Sequence, residues 1–347
     1  MANIVNNKLE CLMLLLLTFS YVLSDRFVDG RKIGTSKLVK PKGTIKTIEG
    51  KDGEIIDCVD LYQQPAFDHP LLKNHTIQTE PSSIPSDLKA NSSPVKLIQG
   101  WHKNGQCPEA TIPILRAPKN QHLPALRHFK RSRTQHNNQS LDSDDGDNLS
   151  DHEYAVAYFG GSGTYLGSHA TINVWKPTVA NNGEMSIGQI WLVNGPEQEI
   201  NTLEAGWRVD FDQKSKFFIY WTSNDRWWLK VNDQAIGYWP ISIYKYLKNG
   251  AARLDYGGEI YNSKIGGQHT KTQMGVAIFQ VKAMEKQVIF DIFNTWIHQA
   301  VLKDVGAGNL NKDTTKTSCY DIEIQSDKSS GTNFYFGGPG YSADKCP

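Results

Sequence analysis

From residue 152 onward, apolar and polar positions alternate in short runs. They include Ala155-Val156-Ala157-Tyr158-Phe159, Ala170 to Trp175, Ile187 to Val193, Lys216 to Thr222 and Gln287 to Ile292. Turn-forming clusters separate them: Asn181-Asn182-Gly183, Asn194-Gly195-Pro196 and Gly337-Gly338-Pro339-Gly340. A period of two puts alternate side chains on opposite faces of a strand, and closely spaced runs of this kind predict an all-β antiparallel sandwich or barrel. One stretch reads as a helix, Ile241 to Lys248, entered after Pro240 and closed by Asn249-Gly250.

The earlier part of the chain has a different texture. Residues 25–126 are rich in Pro, Lys and polar residues, with few alternating runs, and predict a small domain or pro-segment. Residues 127–151 carry a basic cluster (Arg127, Lys130, Arg131, Arg133) and then an acidic run (Asp142, Asp144, Asp145, Asp147, Asp151). No apolar period crosses this stretch, so it buries no core and reads as an exposed, cleavable linker. At the front, Leu12 to Leu23 forms the longest apolar run, preceded by Lys8 and followed by Ser24. This arrangement predicts a secretory signal peptide over residues 1–24 and a secreted protein, with no other stretch apolar enough to span a bilayer.

Charge and cysteine content sharpen this picture. Lys and Arg number 37 against 36 Asp and Glu, a net charge of +1, which argues against a nucleic-acid partner. Cys11 lies in the signal segment, leaving Cys58, Cys107, Cys319 and Cys346. Four cysteines in an oxidising compartment allow three connectivities; pairing within each region, Cys58 with Cys107 and Cys319 with Cys346, is the simplest. N-glycosylation sequons occur at Asn74, Asn91, Asn138 and Asn148, with Pro94 following the second.

Several chemistries lack their residues. His152-Glu153-Tyr154 has no second His at the spacing a zinc helix needs, and no Cys-x-x-Cys pair exists. Ser162 among Gly160, Gly161 and Gly163 reads as a glycine-rich turn rather than a nucleophile elbow. No phosphate loop or dinucleotide fingerprint appears, so no metal or cofactor is expected. Asp68 and His69 sit side by side in the pro-segment and read as structural. Carboxylates remain as the candidate hydrolytic groups.

Two segments each set one Glu among apolar and glycine residues: Asn201-Thr202-Leu203-Glu204-Ala205-Gly206-Trp207 and Tyr256-Gly257-Gly258-Glu259-Ile260. They resemble the signature segments of the neprosin family, plant secreted glutamic peptidases. Ile172 to Pro177, Gln189-Ile190-Trp191, Phe218 to Thr222, Ile236 to Pro240, Thr272 to Gly275, Cys319 to Ile322 and Phe336 to Gly340 with Cys346-Pro347 resemble further family segments, in order. In the front region, Cys58-Val59-Asp60, Gln64 to His75, and Cys107-Pro108 through Ile114 look like the family's activation peptide. The resemblance implies a β-sandwich peptidase domain over 152–347 and a removable pro-segment that inhibits it intramolecularly. It also implies cleavage on the carboxyl side of proline in a peptide or protein substrate. Glu204 and Glu259 fall at the positions of the catalytic pair. Gln189, Trp207, Tyr238 and Trp239 are the candidate substrate contacts.

Two carboxylates hydrolyse a peptide when they differ in protonation. Both start near a pKa of about 4.3, and close approach raises one of them. The ionised partner takes a proton from water while the protonated one polarises the carbonyl, so an acid optimum is expected. The chain departs from the family at one place. Trp221-Thr222 runs almost directly into Trp227-Trp228, so the domain is shortened near 222–227, without the family's intervening strands and cysteine pair. That departure supports a second reading, a non-catalytic exported β-sandwich that binds cell-wall polysaccharide or protein.

Overall fold

In a computed structural model of the chain, the described residues are 40–51, 53–82, 99–116, 152–196, 199–221, 227–232, 234–240, 244–264, 268–275, 287–294, 305–327 and 331–347. The predicted signal peptide, the linker, and Asn91, Asn138 and Asn148 lie outside them; Asn74 is exposed.

The front region folds around its disulfide. Strands β1 (Thr44–Glu49), β2 (Ile55–Asp60) and β3 (Thr111–Leu115) form an antiparallel sheet in the order β1-β2-β3. Cys58 bonds to Cys107. With Ile48, Ile56 and Trp101 they make a small core. Buried Asp57 is bridged by Arg116 through Nε–Oδ2 (2.7 Å) and Nη2–Oδ1 (2.6 Å), the fork geometry that makes such pairs strong. His69 caps the 3₁₀ turn Pro70–Leu72, its Nδ1 accepting from the Leu71 N–H, in keeping with a structural role.

The remainder is all-β, as the alternation predicts. Strands β4 (His152–Tyr165), β5 (Gly167–Asn173), β6 (Met185–Asn194), β7 (Asn201–Asp210), β8 (Ser215–Trp221), β9 (Trp227–Val231) and β10 (Gln234–Trp239) come first. They are followed by β11 (Ala251–Tyr261), β12 (Met274–Gly275), β13 (Gln287–Asn294), β14 (Asn311–Thr314), β15 (Asp321–Asp327) and β16 (Gly331–Gly338). One six-stranded antiparallel sheet has the order β14-β4-β11-β6-β7-β8, a second of four runs β10-β9-β13-β5, and a third of three runs β12-β16-β15.

The core lies on one face of the six-stranded sheet. Ile190 and Leu192 of β6 and Leu203, Ala205, Trp207 and Val209 of β7 pack with Ile172, Trp227, Leu229, Val231 and Trp239 of the four-stranded sheet. Farther along, Ala155 and Ile260 pack with Met274, Tyr320 and the disulfide-bonded pair Cys319–Cys346. Both expected disulfides are therefore present. The predicted helix at Ile241–Lys248 is not: among the described residues there, only a 3₁₀ turn forms, Leu247–Asn249, and Gly250 closes it at φ 124°. Six apolar and aromatic residues within a short, glycine-closed stretch satisfy the helix pattern locally, but burial of Tyr244 and Leu247 in the inter-sheet core sets the chain path instead.

Candidate active site

The opposite face of the six-stranded sheet carries the acids. Strand register puts Glu204 of β7 opposite Trp191 of β6, and Glu259 of β11 opposite Ile187 of β6. Midway between them along β6 lies Gln189, paired with Gly206 on one side and Gly257 on the other. Directly paired residues share a face, and so do residues two apart on one strand. Glu204, Gln189 and Glu259 therefore project from the same surface, the acids on either side of a row whose flanking positions are glycines.

Those glycines are required where they stand. A Cβ on Gly206 would lie 2.1 Å from the Gly188 carbonyl oxygen, and one on Gly257 would lie 2.2 Å from that of Ala155. Gly257 also adopts φ 151°.

Both carboxylates are buried, Glu204 at 5% exposure and Glu259 at 2%. Glu204 accepts hydrogen bonds from Thr202 Oγ1 (2.8 Å) and Gln189 Nε2 (2.9 Å). Burial above all, and then the charge of Glu259, push its pKa up to about 8, against the opposing pull of Thr202, Gln189 and Trp191. At mildly acid to neutral pH this group holds its proton. Tyr220 of β8, in register with Glu204, has its phenol pushed up by burial and then by both glutamates. The two acids thus act electrostatically on each other and on a common neighbour.

Glu259 has different company. His152 Nδ1 lies 2.5 Å from its Oε1, and the Tyr154 hydroxyl donates to the same oxygen at 3.2 Å. Both residues open β4, where Tyr154 pairs with Glu259 and His152 with Tyr261. Sequence reading met His152 only as half of a failed zinc motif. Thr202 and Tyr220 were also missed as site residues. Thr202 was legible, standing two positions before Glu204 on the same strand.

Of the predicted substrate contacts, only Gln189 joins the acids. Trp207 turns to the inner face, 2% exposed, its Nε1 donating to the Asn173 carbonyl. Trp239 is also in the inter-sheet core. Tyr238 pairs with Trp228, out of phase with the core-facing residues of β9 and β10, and so sits on the outer face of the four-stranded sheet. There its hydroxyl meets the pro-segment, 2.6 Å from His75 Nε2 and accepting the Gln78 N–H at 2.9 Å. As for metal ligation, His269, Cys319 and Cys346 come within 4.8 Å of one another. The sulfurs are bonded to each other, and the ring nitrogens contact Glu153 and the Thr270 carbonyl, so this set offers no thiolate.

A buried acid pair on one face of a β-sandwich, behind a disulfide-stapled front segment, defines a protein of protease type made with a pro-segment. Residues 47–158 match the family model described as the neprosin activation peptide, and residues 182–226 and 223–339 match that described as neprosin. The chain belongs to the neprosin family. The first match runs into β4 beyond His152 and Tyr154. The second falls in two pieces that meet at 223–226, where the sequence reading placed the shortening.

Proposed function

We propose that the protein is a secreted acid glutamic endopeptidase that hydrolyses peptide bonds on the carboxyl side of proline. The observation that carries this reading is the buried pair on one face, in which Glu204 keeps its proton up to a pKa of about 8 while a second carboxylate stands beyond Gln189. A neutral acid and an anionic carboxylate facing one surface are the two partners that water-mediated amide hydrolysis needs. Water adds through its oxygen to the scissile carbonyl carbon. One carboxylate takes the water's proton; the other protonates the departing nitrogen.

Gln189 supports both halves of this step. Its amide nitrogen holds Glu204, and its buried Oε1 has no hydrogen-bond partner among the described residues. A buried acceptor left open is costly unless a ligand or water fills it, which favours a bound water or substrate N–H there. Preference for proline rests on the family resemblance. Tyr154 and Tyr220, flanking the acids from β4 and β8, are the aromatic surfaces on this face for a proline ring. The front segment is the zymogen's removable part, and its disulfide and exposed Asn74 fit an exported glycoprotein.

The test is incubation of the purified protein at acid pH with a proline-containing peptide, products being read by mass spectrometry. Cleavage after proline, abolished by Glu204→Gln and by Glu259→Gln separately, is the expected result. Cleavage that survives either substitution refutes it. The second reading, a non-catalytic binding sandwich, draws on one feature: Phe217 and Ile219 of edge strand β8 are 49% and 37% exposed on the face that elsewhere forms core. Saturable binding of a glycan or peptide without turnover is its signature.

A further inference from the structure

Resting on that reading, we propose that His152, assisted by Tyr154, is the positioning residue that commits Glu259 to the anionic, water-activating role and leaves Glu204 as the proton donor.

The surroundings of the two acids are unequal. Both donors to Glu259 converge on Oε1. Two bonds to one oxygen fix the rotation of the carboxylate, and Oε2 is left without a hydrogen-bond partner among the described residues. Glu204 has the reverse arrangement: each oxygen accepts one neutral donor, and no cation touches it.

The imidazole is itself held in place. It is 3% exposed, its ring centroid 5.0 Å from that of Tyr261 and 6.5 Å from that of Tyr154. The titratable groups facing this corner are Glu259 and Tyr261 from β11, Tyr154 from β4 and Glu204 from β7. Arg208 of β7 shares the row of Glu259, but its guanidinium is engaged by Asp210 at 2.6 Å. A protonated His152 is thus the cation in direct contact with the catalytic pair, and a charge-assisted bond from it favours the carboxylate form of its partner.

In the resulting step Glu259 Oε2 takes a proton from water as the water oxygen bonds to the carbonyl carbon. Glu204 gives its proton to the leaving nitrogen as the C–N bond breaks. The proton on Glu259 then returns the pair to its starting state through Glu204.

The experiment uses the acid-matured enzyme and a proline-containing peptide. Removing a partner of this kind costs roughly 10- to 100-fold. His152→Ala is therefore expected to lower kcat by that factor with KM little changed, and added imidazole should restore part of the loss. His152→Asn keeps a donor where Nδ1 stands but carries no charge. It should recover most activity at the optimum, while the acid limb of the kcat/KM profile moves to higher pH by about one unit. Tyr154→Phe, the mildest change, should lose several-fold in kcat. Rate losses with an unmoved pH profile in His152→Asn, or no response to imidazole, would overturn the assignment and make His152 a structural residue. A wild-type enzyme that does not cleave at all fails earlier, as a failure of the glutamic-peptidase reading, and takes the assignment with it.

Discussion

Replacing Glu204 by Gln should abolish cleavage and at the same time stabilise the fold, by an amount that depends on pH. The folded-state pKa of about 8 lies above the ordinary value of 4.5, with burial as the leading cause and the charge of Glu259 second. A carboxyl raised in this way contributes stability that is complete below its unfolded pKa and is lost as pH climbs toward the folded one. Near pH 7 the unfolded chain would ionise Glu204 and the folded chain does not. At about 1.4 kcal/mol per pH unit, the interval from 4.5 amounts to about 3 kcal/mol of lost stability. Near pH 4 the same group costs a few tenths of a kcal/mol at most. A Gln has no proton to hold and keeps an oxygen and an amide for Thr202 and Gln189. Urea denaturation of wild type and variant, followed by tryptophan fluorescence, should show the variant more stable by about 3 kcal/mol near pH 7 and equal to wild type near pH 4. A variant destabilised equally at both would mean that Glu204 is a structural hydrogen-bonding residue, and the proton-donor argument would collapse. Stabilisation joined to lost turnover is the mark of a site held in strain for function.

Glu184 should behave in the opposite sense. It is 1% exposed and accepts from Asn181 Nδ2, Ser263 N and Oγ, and the hydroxyls of Thr270 and Thr272. Burial is the largest influence and pushes its pKa up, yet the donors together outweigh it and hold the carboxyl below its usual value. Its stabilisation is therefore full above the unfolded pKa and lost as pH falls through the folded one. Glu184→Gln should cost roughly 1–3 kcal/mol at neutral pH in the same denaturation assay, with the gap from wild type narrowing in acid; a gap that widens would be contrary. N-terminal sequencing of the acid-matured chain should find a start at or before His152, even though the activation-peptide match extends to residue 158. An active enzyme beginning beyond Tyr154 would remove both partners of Glu259 and contradict the site as built.

How far the sequence revealed this arrangement depends on how local each signal is. Period-two alternation is a nearest-neighbour property, so β6, β7 and β8 were readable directly. Strand parity alone also contained a correction to the expected substrate contacts. Trp207 is three residues from Glu204, an odd spacing, which puts it on the other face of β7. Tyr238 and Trp239 are adjacent, so a strand cannot turn both into one cleft. What parity cannot supply is pairing across the chain. That His152 meets Glu259, 107 residues away, follows from β4 lying beside β11, a partnership set by long-range registry and by the glycines at 257 and 258 that let the strands and the Phe336–Met274 packing close in. The helix expected at Ile241–Lys248 failed for a related reason: a short segment takes the conformation its burial imposes.

The shortened junction bears on these conclusions through its place in the sheet. The acids stand on β11 and β7, with β6 between them and β8 outside β7. The chain passes from the end of β8 to the start of β9 across residues 222–226, so the strands missing by comparison with the family would follow β8, beyond the edge nearest Glu204. Every strand that carries or directly flanks an acid is present, including β8 with Tyr220. The cost falls on the edge itself. Phe217 and Ile219 pair with Trp207 and Ala205, whose side chains are buried, yet both remain open to solvent. An edge strand with an exposed apolar face is a liability for association rather than for chemistry. A sheet can therefore lose what lay outside β8 and become less soluble without losing the geometry that sets two carboxyl groups to different protonation states.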